Sequence, residues 1–266
     1  MQGEARVSLT RRIAPPLAVV AVLLCAWEAY ADSGATNRVY LPAAHSVAAA
    51  LYSNAGLRAS NLATTAEEVG LGLMLALALG ALCALAIHLV GFVRRAGYPL
   101  VIGSQAIPIP VIAPLLVIWW GFGLLPKLFV IVLVCFFPVV VTTVDGLAAV
   151  DPDQLKLLRT LGATRRQAFW FAEMPAALPA ALSGTRIAVT VAFIGAVVAE
   201  ISTAGTSSGL GHLIQLDLNG LTAEQARVAW AATIVLFGFA ILCFYGLGAG
   251  ARRLAPWAPG TDGSGR

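Results

Sequence analysis

Charge is scarce in this chain. Only 11% of its 266 residues are Asp, Glu, Lys or Arg, against 59% hydrophobic ones, too little charge to solvate an ordinary globular surface. The mean hydropathy of +0.85 points to an integral membrane protein. Lysine is almost missing: Lys127 and Lys156 are the only two, each followed by Leu and neither preceded by a Gly-rich turn. A Walker A cradle needs glycine amides around the phosphates and a lysine after them, so the sequence has no means of hydrolysing ATP. Cysteine is confined to Cys25, Cys83, Cys135 and Cys243, all within apolar runs and none in CxxC spacing, which suggests neither a disulfide framework nor a metal site. No nucleophile, base and orienting group cluster along the chain, which argues against an enzyme. The net charge of +4 comes from basic residues at the ends of apolar runs, without interleaved aromatics. That is the pattern of cytoplasmic anchors rather than of a nucleic-acid surface.

What the chain does have is apolar length. A helix crossing a bilayer needs about 20 residues, and six runs qualify: 13–31, 69–93, 97–120, 125–144, 177–201 and 229–250. The first ends at Ala29-Tyr30-Ala31, which has the small-residue pattern of a signal-peptidase site, but its apolar run exceeds a signal peptide's 7–15-residue core. The polar stretch 32–65 is expected at the outer surface. In the second span Gly70, Gly72 and Gly80 allow close helix approach. Arg94 and Arg95 then make a short basic turn. The third span is interrupted by Pro108, Pro110 and Pro114, and broken backbone at membrane depth survives only beside protein or a watery cavity. Ser104 and Gln105, just before that break, are read either as hydrogen-bonding glue between helices or as contacts to a solute. Trp119 and Trp120 are expected at the outer interface.

The fifth span carries Arg186, placed to snorkel, and Glu200, and an ionisable group inside a span is a functional candidate. Glu200 is read either as part of an outer gate or as a structural acceptor for backbone amides. After it, 204–227 is Gly-rich and polar, with Gly209, Gly211 and a solvated His212. Six spans with the N-terminus inside put basic residues in the cytoplasm over the outside by three to one, as the positive-inside rule requires. The boundaries are then a cytoplasmic tail 1–12, a membrane domain 13–254 and a disordered cytoplasmic tail 255–266.

One long polar interruption, 151–179, lies between spans four and five. Asp151 suits an N-cap, with Pro152 at the first helical position and Gln154 at capping-box spacing. Gly162 suits a left-handed helix end. Thr164 with Gln167 repeats the capping-box spacing and opens a second helix, which Pro175 is expected to stop. Lys156, Arg159, Arg165 and Arg166 make the segment cationic. Leu157, Leu158 and Leu161 form an apolar stripe beside Lys156 and Arg159.

The elbow TLGATRRQAF, the spacing MPAALP and the downstream AEISTAGTSSGLGHLI resemble the cytoplasmic loop and following helix of bacterial ABC-importer permeases, in particular the nitrate, sulfonate and taurine group. The resemblance runs from about Leu41 to Leu254. It implies an all-α type I importer permease of about six transmembrane helices, set in the bacterial inner membrane with both termini cytoplasmic. It further implies a coupling helix at 151–175 that docks on a separate ATPase, which binds the ATP and Mg, with no cofactor in this chain. The other implied partners are a second copy of the permease, an extracytoplasmic substrate-binding protein and membrane lipid. The solute would be small and polar or anionic, such as a sulfonate, taurine or nitrate. Coupling falls on Lys156, Leu157, Leu158, Arg159, Leu161 and Gly162, with Gly162 matching the family glycine and Lys156-Leu157-Leu158 standing where the family has Glu-Ala-Ala. Gate or pathway roles fall on Ser104, Gln105, Glu200, Gly209 and Gly211. The rival is an ion-coupled secondary transporter using Glu200 or Glu28, which lacks the inverted internal repeat expected of many such folds.

Overall fold

The computed structural model describes residues 2–34, 37, 39–53, 55–203, 208–220 and 222–257, with side chains from 14 onward apart from those of 16, 17, 252 and 254. Residues 204–207 and most of the expected tail 255–266 lie outside the described residues. The described residues form helices and no strands, in the order α1 (Gln2–Asp32), α2 (Ala44–Ser53), α3 (Ala55–Leu89), α4 (Gly91–Gly103), a 3₁₀ turn (Ser104–Ala106), α5 (Ile109–Trp120), α6 (Leu124–Ala148), α7 (Pro152–Thr160), α8 (Arg165–Ala168), a π-helical turn (Phe169–Glu173), α9 (Met174–Ser202), α10 (Leu210–Asn219) and α11 (Ala223–Leu254).

Four helical stretches among the described residues are long and apolar enough to cross a membrane: Ala55–Leu89, Leu124–Ala148, Arg165–Ser202 and Ala223–Ala251. The expected third span is bent by 98° between Gly91–Ala106 and Ile109–Trp120. Of the six spans of the sequence reading, four are thus single helical stretches, the third is broken as its prolines led one to expect, and the first is the apolar run inside α1. The cause of the break is local. Pro108 has extended backbone and Pro110 lacks an N–H, so the helix can restart at Ile109 but cannot run through. Arg94 and Arg95 are not in a turn; the chain breaks at Val90, whose backbone is extended, and both arginines lie in α4. The polar stretch 32–65 contains α2 and the first turns of α3.

The chain divides into two compact units, residues 1–60 with 213–235, and 61–212 with 236–266. In the first, Val47, Ala50 and Ala231 are buried with Trp27, Leu51 and Trp230 packed on them. Trp27 Nε1 donates to the Pro42 carbonyl at 3.0 Å, and its ring lies 5.2 Å from that of Trp230. Glu28 accepts the His45 backbone N–H at 3.3 Å and contacts His45 Nδ1, so this carboxylate serves the first turn of α2.

In the second unit α6 and α9 form the centre, with Ile131, Cys135, Ala188, Val189, Ala192 and Ala196 all buried. Small residues set the spacing. A Cβ on Gly72 or Gly80 of α3 would come within 2.6 Å of Ile131 or 2.7 Å of Val139 on α6. On the facing side, a Cβ on Gly146 or Gly195 would come within 2.8 Å of Ala180 or Val134. In lipid, where burial between helices gains little, such close backbone approach is the main source of helix association. Gly70 is the exception to the sequence reading, since it faces open space.

Candidate functional site

The polar loop folds as its residues dictate. Asp151 caps α7 by accepting the Asp153 N–H at 2.8 Å, so the cap closes on the second helical residue rather than through a box with Gln154. At the other end the Ala163 N–H reaches the Leu158 carbonyl at 2.9 Å and the Gly162 N–H reaches that of Arg159 at 3.0 Å, with Gly162 at φ +80°. These are the paired bonds of a Schellman ending, and the positive φ is why glycine stands there. Two residues later Thr164 and Gln167 close a reciprocal capping box. Helix stop and helix start are thus both fixed by local bonds, each worth about 1 kcal/mol, and the α7–α8 elbow takes its shape from its own residues.

Pro175 does not end the second helix. The Met174 N–H bonds back to the Phe169 carbonyl, five residues earlier, and Pro175, which has no N–H, sits in the first turn of α9. The wide turn absorbs the missing bond, so the helix from Arg165 to Ser202 continues into the membrane.

The structure separates the leucines of α7. Leu157 and Leu161, one turn apart, are 60% and 74% exposed, whereas Leu158 is half-buried together with Leu155. The outward apolar stripe is therefore Leu157 with Leu161, and Leu158 belongs to the elbow's inner face. Lys156 and Arg159 are exposed. Lys156 Nζ donates to Asp153 Oδ1 at 2.7 Å with both side chains largely in solvent, a pair worth about 0–1 kcal/mol.

A second cluster surrounds Glu200, which is fully buried. Its carboxylate accepts the Thr65 hydroxyl at 2.7 Å and the Gly211 N–H at 2.5 Å. Thr65 Oγ1 in turn accepts the Leu210 N–H at 2.9 Å, and Asn61 Oδ1 accepts the Gly209 N–H at 2.7 Å. Three successive amides at the start of α10 are thus held by three side chains. The carboxylate of Glu200 lies against the positive end of that helix. Beside it Lys127 Nζ donates to Glu68 at 2.6 Å, both side chains about 95% buried, and to the Ser208 carbonyl at 3.3 Å. Of the two readings of Glu200, this geometry supports the acceptor for backbone amides. Gly209 and Gly211 are required by the same contact: Gly209 has φ +135° and its Cβ would overlap the Glu200 carboxylate, and a Cβ on Gly211 would lie 2.8 Å from Glu200 Oε2.

Sequence reading missed the bonds by which Asn61, Thr65, Glu68 and Lys127 join this cluster. A signal was present. Asn61, Thr65 and Glu68 are spaced i, i+4, i+7 and continue as Gly72, Ala76 and Gly80, one face of α3.

Ser104 and Gln105 border a cavity of about 180 Å³ at the broken span, otherwise lined by apolar residues including Ile109, Val134 and Ile194. Ser104 Oγ donates to the Val101 carbonyl at 2.7 Å, one turn back in the chain. Gln105 is exposed. Arg186 donates to the Gly248 carbonyl at 3.0 Å, joining α9 to α11.

An all-helical chain with several membrane-crossing helices, a broken span and a pre-formed helical elbow has the features of the membrane-embedded subunit of a transporter. Residues 76–253 match the family described as the binding-protein-dependent transport system inner membrane component, and the chain belongs to that family, the permeases of ABC transporters. It is 36% identical over 234 residues to a probable ABC transporter permease protein of Haemophilus influenzae, covering 88% of this chain and 93% of that one. It is 36% identical over 198 residues to the formylaminopyrimidine transport permease protein ThiX of Halalkalibacterium halodurans, covering 74% and 77%. With the taurine transport system permease protein TauC of Escherichia coli it shares 31% identity over 256 residues, covering 94% and 91%. Its fold matches the crystal structure of an amino acid ABC transporter with histidines at a TM-score of 0.60 and 15% identity, over 77% of this chain and 95% of that one. The chain is a multi-pass membrane protein with a type I permease fold.

Proposed function

We propose that the chain forms the solute pathway of an ATP-driven importer and that α7 is its coupling helix, docking on a separate ATPase that supplies ATP binding and hydrolysis. The observation that carries this reading is the elbow: a short helix locked at both ends by its own hydrogen bonds, with Leu157 and Leu161 exposed among cations. An apolar pair held outward on a rigid helix suits a groove on another protein. The charge asymmetry of the sequence supports a cytoplasmic elbow and cytoplasmic termini in a bacterial inner membrane. A second permease copy and an extracytoplasmic binding protein complete the reading. ATP-driven approach of two ATPases would pull the two elbows and tilt the spans, so that access changes sides.

The solute class proposed from relatives such as TauC and ThiX is small and polar or anionic, with Ser104 and Gln105 at the broken span as candidate pathway residues. The secondary-transport rival loses ground because Glu200 and Glu28 are both engaged with backbone amides. Proteoliposomes holding this chain with its ATPase and binding protein should take up taurine, alkanesulfonates or formylaminopyrimidine only when ATP is supplied, with no loss on adding a protonophore. Uptake without ATP that collapses with the protonophore would overturn the proposal.

A further inference from the structure

His88 stands in the last turn of α3, the cytoplasmic end of that span in the proposed topology. Its Nε2 lies 2.8 Å from Glu173 Oε2, with the two side chains 20% and 18% exposed. Glu173 closes the π-helical turn that joins the elbow to α9. Phe169, the first residue of that turn, lies beside the same imidazole at 6.4 Å between ring centres, and Trp170 meets Phe169 edge-on at 5.7 Å. The join between elbow and span is thus pinned by one polar bond and a set of rings to a helix 85 residues away in the chain.

The turn itself is the compliant point of the lever. A π turn widens the helix, interrupts its regular ladder and is a recurrent place for a helix to kink, and Pro175 removes a further donor just beyond it. Between the locked elbow and the packed body of α9, bending concentrates there. A joint that bends freely passes little force, whereas one tied to a neighbouring helix moves that helix with it. The structure has the tie: His88 and Glu173 connect the soft turn to α3, whose Gly72 and Gly80 face carries contact onward into α6.

We infer that the His88–Glu173 pair is the positioning contact through which displacement of the coupling elbow is handed to α3, so that α3 and α9 respond to the ATPase together. This rests on the docking of α7 proposed above. Neither residue would touch ATP or solute; both act by holding the π turn against α3.

The test needs no solute. In the permease–ATPase complex in nanodiscs, amide hydrogen exchange is followed in peptides covering 153–163 and 83–92, with and without a non-hydrolysable ATP analogue. In wild type the analogue should alter exchange in both peptides. In His88→Ala and Glu173→Ala the response of 153–163 should persist and that of 83–92 should fall by at least about threefold, with the complex still co-purifying. His88→Gln, which retains a donor at the matching position, should restore most of the response, and it keeps the test decisive should either alanine variant be too unstable to purify. A merely structural contact would raise exchange of 83–92 equally with and without nucleotide and leave the nucleotide-dependent difference intact, which would overturn the inference. A nucleotide effect missing from 153–163 in wild type would overturn the docking of α7 itself, and the inference with it.

Discussion

Leu157→Asp and Leu161→Asp should each abolish co-purification with the ATPase while leaving the permease folded. Both side chains project from a helix whose ends are fixed by the Asp151 cap and the Gly162 Schellman ending, so a polar substitution alters the outward stripe without unwinding the helix. Central apolar anchors in interfaces carry about 2–4 kcal/mol each, which at about 1.4 kcal/mol per decade is about 30- to 1000-fold in Kd. A carboxylate in the groove adds a desolvation cost. Leu158→Asp is expected to differ in kind: Leu158 is half-buried inside the elbow, so its replacement should loosen the elbow and lower the melting temperature. Co-purification and thermal unfolding on the three variants separate the two effects. Normal assembly by both Leu157→Asp and Leu161→Asp would take α7 out of the interface.

Glu200→Ala and Gly209→Ala should release the start of α10. Removing the carboxylate leaves the Gly211 N–H without its partner in a buried site, at about 1–3 kcal/mol, and takes from the Thr65 hydroxyl the shorter of its two bonds, the other being to the Asn61 carbonyl at 3.1 Å. The Lys127–Glu68 pair beside it stays intact, so the expected loss comes from the amides that open α10. Gly209→Ala reaches the same end by another route, because the new Cβ would meet the Glu200 carboxylate and φ +135° is unfavourable for any residue with a side chain. Both variants should therefore raise amide hydrogen exchange at the buried residues 209–211, by more than about tenfold, and both should impair transport without making it depend on a proton gradient. Glu200→Gln keeps an acceptor for the Gly211 amide and should fall between. Wild-type exchange at 209–211 in all three would show that Glu200 does not hold this segment.

Much of the local structure was legible in the sequence because it is governed by bonds between near neighbours. The cap at Asp151, the left-handed Gly162 and the Thr164–Gln167 box each depend on residues no more than five apart, and all three are present. Pro108, Pro110 and Pro114 likewise announced a broken span, since a missing N–H acts wherever it lies. One misreading was itself local: Pro175 was expected to end a helix, but the π turn that closes two residues earlier took up the missing bond and the helix ran on. The rest was hidden because a distant partner decides, as at Lys127, whose counter-charge Glu68 stands 59 residues away.

Composition by itself determined that this is a membrane protein, because hydropathy needs no third dimension. The elbow sequence determined a rigid helix–turn–helix, because its capping bonds are local. Only the tertiary structure decided which leucines of α7 face outward, that Glu200 is bound to the amides opening α10, and that His88 meets Glu173. Each of those depends on where one helix lies against another, and that is set by close packing at Gly72, Gly80, Gly146 and Gly195, where the absence of a side chain fixes the distance but leaves no periodic mark that names its partner.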